Sequence, residues 1–104
     1  MANALNPRRT IDELKELRAL TGDANGAQRV AFTPTWTKAR EFLRRRFDGL
    51  PVEIDTDAAG NFWATLRGKS DRELLMGGHI DSVPNGGWLD GCFNVLAGVE
   101  VIRR

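Results

Sequence analysis

Apolar and polar positions change their period twice along this chain, and each change marks a new kind of element. Ile11, Leu14, Leu17 and Leu20 recur close to the helical repeat, which predicts a first helix. Thr10 and Glu13 have capping-box spacing at its start, and Gly22 is a stop signal. Residues 1–9 read as a lead-in and Asp23 to Gln28 as a loop. Thr33-Pro34 has the form of a second helix entry, threonine as cap and proline in the first turn. Trp36, Ala39, Leu43 and Phe47 then share a face with Phe42 beside them, and Gly49 and Pro51 end the helix. From Val52 the period becomes two. Val52, Ile54 and Thr56 alternate with Glu53, Asp55 and Asp57, as in a strand with one buried face. Ala59-Gly60-Asn61 reads as a turn, Phe62 to Leu66 as a second strand, and Gly68 to Asp71 as another turn. Glu73 to Ile80 holds Leu74, Leu75, Met76 and Ile80 without alternation, which predicts a third strand buried on both faces. After a loop from Ser82 to Gly91, Val95, Leu96, Val99 and Ile102 predict a last helix running out at Arg103-Arg104.

The order helix, helix, strand, strand, strand, helix implies an α/β fold: a partial layered sheet with flanking helices and the third strand central. Ligand sites in open α/β sheets lie beyond the carboxyl ends of strands. His79 falls at that end of the best-buried strand.

Composition narrows the function classes. With 41% hydrophobic and 28% charged residues and a net charge of +1 over 104 residues, the chain is an ordinary globular domain in make-up. No bulk charge draws it to nucleic acid or to a membrane surface. The run Arg44-Arg45-Arg46 reads as the solvated face of a helix, with a phosphate-binding patch as the alternative. Cys92 is the single cysteine, so no internal disulfide forms, in keeping with a reducing compartment. The first residues lack an apolar leader and no stretch is long enough to span a bilayer. A cytoplasmic protein is expected.

The chemistry concentrates in G-G-H-I-D-S-V-P-N-G-G-W-L-D-G, from Gly77 to Gly91. His79 is the only histidine, and neutral imidazole is a good ligand for zinc and related ions. A metal-bound histidine usually donates its other ring N–H to a carboxylate or carbonyl. Asp81, two residues on, is placed for that. Asp90 sits among Gly86, Gly87 and Gly91, small residues that let backbone approach a bound ion or substrate. A carboxylate there could bridge two ions that together activate a water and polarise a carbonyl. Plainer readings stand beside these. His79 can be a hydrogen-bonded structural residue, and Asn85-Gly86 and Asp90-Gly91 ordinary turn or helix-entry signals. Trp88 can be a substrate platform or a loop anchor, and Cys92 a small buried hydrophobe or a nucleophile.

Taken whole, the block from Gly77 to Glu100 resembles the N-carbamoyl-L-amino-acid hydrolase and allantoate amidohydrolase family, within the two-metal exopeptidase-like superfamily. R-V-A-F-T-P from Arg29 to Pro34 and D-A-A-G-N-F-W-A from Asp57 to Ala64 agree with it. The resemblance implies the N-terminal part of a zinc-exopeptidase-like catalytic domain over residues 1–104. It implies that His79 binds one ion, that Asp90 bridges both, and that Asp81 serves catalysis by orienting the imidazole. The implied cofactor is two divalent metal ions, zinc first, with manganese, cobalt or nickel as alternatives. The implied substrate is a small N-carbamoyl or ureido compound, cleaved at a linear C–N bond, with no nucleic-acid or membrane partner. A cis peptide bond at Asp90-Gly91 is also implied. Within the motif, Gly78 replaces the family's serine or threonine, and Cys92-Phe93-Asn94 replaces a smaller run.

Family members are several times longer. Their later parts supply a Glu-Glu pair, two more histidines, and a lid and dimerisation domain that makes the full-length form a homodimer. These 104 residues hold none of those parts. The expectation is therefore an N-terminal fragment of an amidohydrolase, inactive in isolation. The alternative is a truncated, non-catalytic remnant or assembly domain.

Overall fold

In the computed structural model, which describes residues 4–104, three helices and two small antiparallel sheets form an α/β arrangement. Helix α1 spans Pro7–Thr21 and starts ahead of the Thr10 signal, with Asn6 as its cap and proline at its start. Asn6 accepts a hydrogen bond from the Arg9 amide at 3.3 Å, which is normal capping chemistry. Thr10 and Glu13 are both turned inward and buried, so their spacing does not mark the cap. Of the expected lead-in, residues 1–3 lie outside the described residues, and 7–9 already belong to α1. Gly22 ends the helix as expected.

The segment read as a loop contains a short ladder: β1, Gly22–Asp23, pairs antiparallel with β2, Gly26–Ala27. Helix α2, Pro34–Arg46, has the expected Thr33 cap, whose hydroxyl accepts from the Trp36 amide at 3.3 Å. Strands β3, Glu53–Thr56, and β4, Phe62–Thr65, form an antiparallel hairpin in the register Glu53↔Thr65. Asp57 organises its turn by accepting from the Ala59 and Asn61 amides, the Asn61 side chain and the Trp63 indole. Those bonds, led by the indole and the Asn61 side chain, bring the Asp57 carboxyl down to about 2. Contrary to the alternation, all of β3 is exposed, and the hairpin instead docks through Phe62 and Ala64 of β4. Phe62 stacks on Phe47 with ring centroids 6.0 Å apart.

The third strand does not form. Residues 73–79 are irregular, exposed and outside any ladder. A strand is stabilised by pairing on its edges, and among the described residues nothing pairs with this one. Only Ile80 of the apolar run reaches the core. Helix α3, Cys92–Arg103, follows the loop as expected. The core is built on α1, which touches both other helices: Leu14 and Leu17 meet Ala39, Phe42 and Leu43 of α2, and Leu96 and Val99 of α3. In the arginine run, Arg44 and Arg45 are solvated beside Glu41. Arg46 lies over the Phe42 ring at 4.3 Å and pairs with Glu13.

Candidate active-site cleft

Two short arms face each other across an open cleft of about 450 Å³, lined by His79, Asp81, Ser82, Gly87, Asp90 and Gly91. The first arm, residues 79–83, has no strand beneath it and is held from the side. Ser82 donates its amide to the Arg29 carbonyl at 2.9 Å, and the Arg29 amide returns a bond to the Ser82 hydroxyl at 2.9 Å. The second arm, residues 85–91, is pinned at its base by Ala27, whose N–H and carbonyl bond those of Gly86 at 2.8 and 2.9 Å. Gln28 clasps Asn85 through its side-chain amide, at 2.8 and 3.0 Å. Residues 27–29 thus fix both arms.

His79 and Asp81 meet as the spacing anticipated, although no strand carries them. The imidazole Nδ1 lies 3.0 Å from the Asp81 carbonyl and 3.2 Å from its carboxylate Oδ1. Both neighbours are acceptors, so the neutral tautomer that carries its proton on Nδ1 satisfies them and leaves the Nε2 lone pair for a ligand. Asp90 reaches the same cleft from the second arm. A Cβ on Gly87 would stand 2.9 Å from Asp90 Oδ2, and one on Gly91 would stand 2.5 Å from three carbons of the His79 ring. The imidazole therefore lies flat against the backbone next to Asp90, and only glycine permits it. Gly91 also has φ +72°, the left-handed region that glycine enters freely. No peptide bond among the described residues is cis. The turn expected to need a cis bond at Asp90-Gly91 is made instead with that positive φ. The Gly78 departure has a local cause as well, since a Cβ there would stand 2.7 Å from the Gly91 carbonyl.

Trp88 packs on the core with the Arg18 guanidinium 4.9 Å from its ring, so it anchors the loop. The Cys92 thiol is buried and donates to the Trp88 carbonyl at 2.9 Å, and burial pushes its pKa up. It behaves as a packed small residue, not a nucleophile.

No family model matches the chain. The N-carbamoyl-L-amino-acid amidohydrolase of Paenarthrobacter aurescens is 34% identical over 94 residues, which is 88% of this chain and 23% of that protein. The allantoate amidohydrolase of Escherichia coli (strain K12) is 35% identical over 94 residues, 86% of this chain and 23% of that protein. The crystal structure of an amidase of the hydantoinase/carbamoylase family from Burkholderia phymatum superposes with a TM-score of 0.84 at 32% identity, over 99% of this chain and 25% of that one. The chain belongs to the N-carbamoyl-L-amino-acid hydrolase and allantoate amidohydrolase family. It spans about a quarter of the length of these relatives. Among the described residues, no helix is long and apolar enough to cross a membrane.

An imidazole nitrogen and a carboxylate are donor types that suit a divalent transition-metal ion. Zinc sites normally take at least three protein ligands. Among the described residues, no group of three or more His, Cys, Asp and Glu side chains could hold an ion.

Arg29 is the supporting residue that the pattern of the chain did not single out: it is wholly buried and bonds Ile80 and Ser82 of the first arm and Cys92 after the second.

Proposed function

We propose that this chain contributes one wall of the catalytic centre of a metal-dependent amidohydrolase that cleaves linear carbamoyl or ureido C–N bonds. One observation carries the reading: His79, its Nδ1 held by Asp81, lies against Gly91 beside Asp90 in a single cleft. The names of the relatives point to N-carbamoyl-L-amino acids or allantoate as the substrate class. In this reading His79 and Asp90 are two of the ligands for divalent ions, with zinc first among candidates. Asp81 keeps the imidazole in the tautomer and direction that present Nε2. Such ions, when bound, polarise a carbonyl and lower the pKa of a water. The glycines at 87 and 91 let the Asp90 carboxylate and the His79 ring pack close to the backbone of the second arm. Hydrolysis of an N-carbamoyl amino acid consumes one water and releases the amino acid, ammonia and carbon dioxide.

Two protein donors do not complete a zinc site, so we infer that the 104-residue polypeptide turns over no substrate alone. Calorimetric titration with zinc should show no tight uptake. Submicromolar binding of two ions per chain would overturn that inference. The activity itself is tested by joining these residues, in place of the matched segment, to the remainder of the P. aurescens relative. Ammonia release from N-carbamoyl-L-amino acids and from allantoate is then measured. Asp90→Ala should abolish turnover in that protein. Turnover within a few-fold of the parent would remove Asp90 from the mechanism and the proposal with it.

A further inference from the structure

Arg29 is 0% exposed, and its guanidinium has an unusual set of partners. Nε donates to the Ile80 carbonyl at 2.7 Å, Nη1 to the Thr21 hydroxyl at 3.4 Å, and Nη2 to the Cys92 sulfur at 3.3 Å. None of these acceptors is a carboxylate. Burying a guanidinium against neutral partners is costly, and such an ion is normally paired. A group kept under those conditions is fixed by geometry, and the rigid planar fork of arginine is suited to reaching several acceptors at once. The acceptors belong to three separate places. Ile80 lies between His79 and Asp81, Cys92 follows Gly91 and Asp90, and Thr21 ends α1. The Arg29 main chain adds two further bonds to Ser82.

We propose that Arg29 is the positioning residue of the cleft: its guanidinium ties the His79–Asp81 arm to the start of α3, and so sets the imidazole against Asp90. The inference rests on the amidohydrolase reading for its functional meaning, but its geometry stands apart from it. The Arg29 guanidinium bonds Ile80, Thr21 and Cys92 and neither His79 nor Asp90. It acts through the backbone on either side of the two ligands.

His79 is the only histidine, so its imidazole gives one readable set of NMR signals in the intact 104-residue chain. In the unmodified protein the Arg29 Nε–H should appear as a separate, slowly exchanging resonance with a cross-relaxation contact to Ile80. The His79 ring should show the Nδ1–H tautomer. Arg29→Met, which keeps an apolar stem and removes the donors, should shift the His79 ring signals and speed exchange of the Cys92 amide at least ten-fold, with the helical circular dichroism retained. Arg29→Lys, which keeps the charge but has no planar fork, should fall between the two and decides the matter should the methionine variant fail to fold. Phe62→Ala is the control for general destabilisation, because it removes the ring that docks the β3–β4 hairpin on Phe47 and touches none of the Arg29 partners, and it should leave the His79 signals in place.

A fast-exchanging, unresolved Arg29 Nε–H in the parent overturns the proposal. So do His79 signals unmoved in the arginine variants, or moved as far by Phe62→Ala. Failure of the amidohydrolase reading would appear elsewhere, as Asp90→Ala leaving turnover intact in the joined protein, and would not alter these signals.

Discussion

A methyl group placed on Gly91 would collide with the His79 ring, whose carbons stand 2.5 Å from that position. The neighbour is a planar ring that is itself hydrogen-bonded to Asp81, so it must leave its place to make room. The backbone adds to the cost, because a non-glycine residue at φ +72° and ψ −52° loses about 1–3 kcal/mol. Gly91→Ala should therefore lower the melting temperature by roughly 5–20 °C, the shift that about 1–3 kcal/mol produces in a domain of this size. It should also move the His79 ring resonances. An unchanged melting curve and unchanged imidazole signals would show that the ring does not rest on Gly91. The same small region shows what was legible in the chain. His79, Asp81 and Asp90 stood out because rare, chemistry-bearing side chains were crowded among glycines, and the structure does gather them in one cleft. Arg29 could not stand out. An arginine reads as surface by default, and its burial depends on acceptors at positions 21, 80 and 92 that no local pattern connects.

Helices α1 and α3 are joined by a compact ionic cluster, and that pairing gives the element-level behaviour a definite pH dependence. Arg9 binds Glu100 in a bidentate pair at 2.7 and 2.7 Å. Arg103 binds Glu13 at 2.6 and 2.7 Å and also reaches Glu100. The Arg9 hydrogen bonds, helped by the Asn6 amide and Arg103, outweigh burial and hold the Glu100 carboxyl at about 2 instead of the usual 4.5. A carboxyl lowered in the folded state stabilises it above its unfolded pKa, and that contribution is lost as pH falls toward the folded value. Stability should thus decline between about pH 4.5 and 2. Glu100→Gln should cost about 1.5–3 kcal/mol near neutrality, the worth of a hydrogen bond to a charged group, and should flatten that decline. Thermal melts of both proteins across the acid range check it, and parallel curves would dismiss Glu100 as the titrating group. The cluster also explains why α1 was legible in kind but not at its start. Glu13 had the spacing of a capping glutamate, but tertiary pairing with Arg103 claims it, and the cap falls to Asn6. For α2 no such competitor exists, and the Thr33-Pro34 signal holds.

At the scale of the whole molecule, the stretch read as a doubly buried strand is the least covered part of the chain. Leu74 is 85% and Leu75 70% exposed, and Met76 lies beside Gly98 of α3, whose Phe93 and Val101 are also exposed. The accessible surface is 7322 Å² for 11.6 kDa, where a compact monomer of this mass exposes about 5,800 Å². An apolar run tells that a segment wants burial, but not which residues cover it or whether they belong to the same stretch of sequence. That is why the strand was legible as apolar and illegible as a ladder. An uncovered edge of this kind, with bare amides and leucines, favours association, and a net charge of +1 offers little repulsion against it. In light scattering at tens of micromolar, the 104-residue chain should exceed the 11.6 kDa monomer mass and bind a dye specific for apolar surface. Leu75→Lys, a charge on the edge, should return it toward monomer without loss of helical signal. The matched relatives carry about three quarters of their length outside the shared segment. Co-expression with that remainder from the P. aurescens relative should suppress both association and dye binding if the remainder covers Leu74 and Leu75. A monodisperse 11.6 kDa species that binds no dye, with or without the remainder, would mean that this surface is stable in water and that the run at 74–76 is not an edge awaiting a partner.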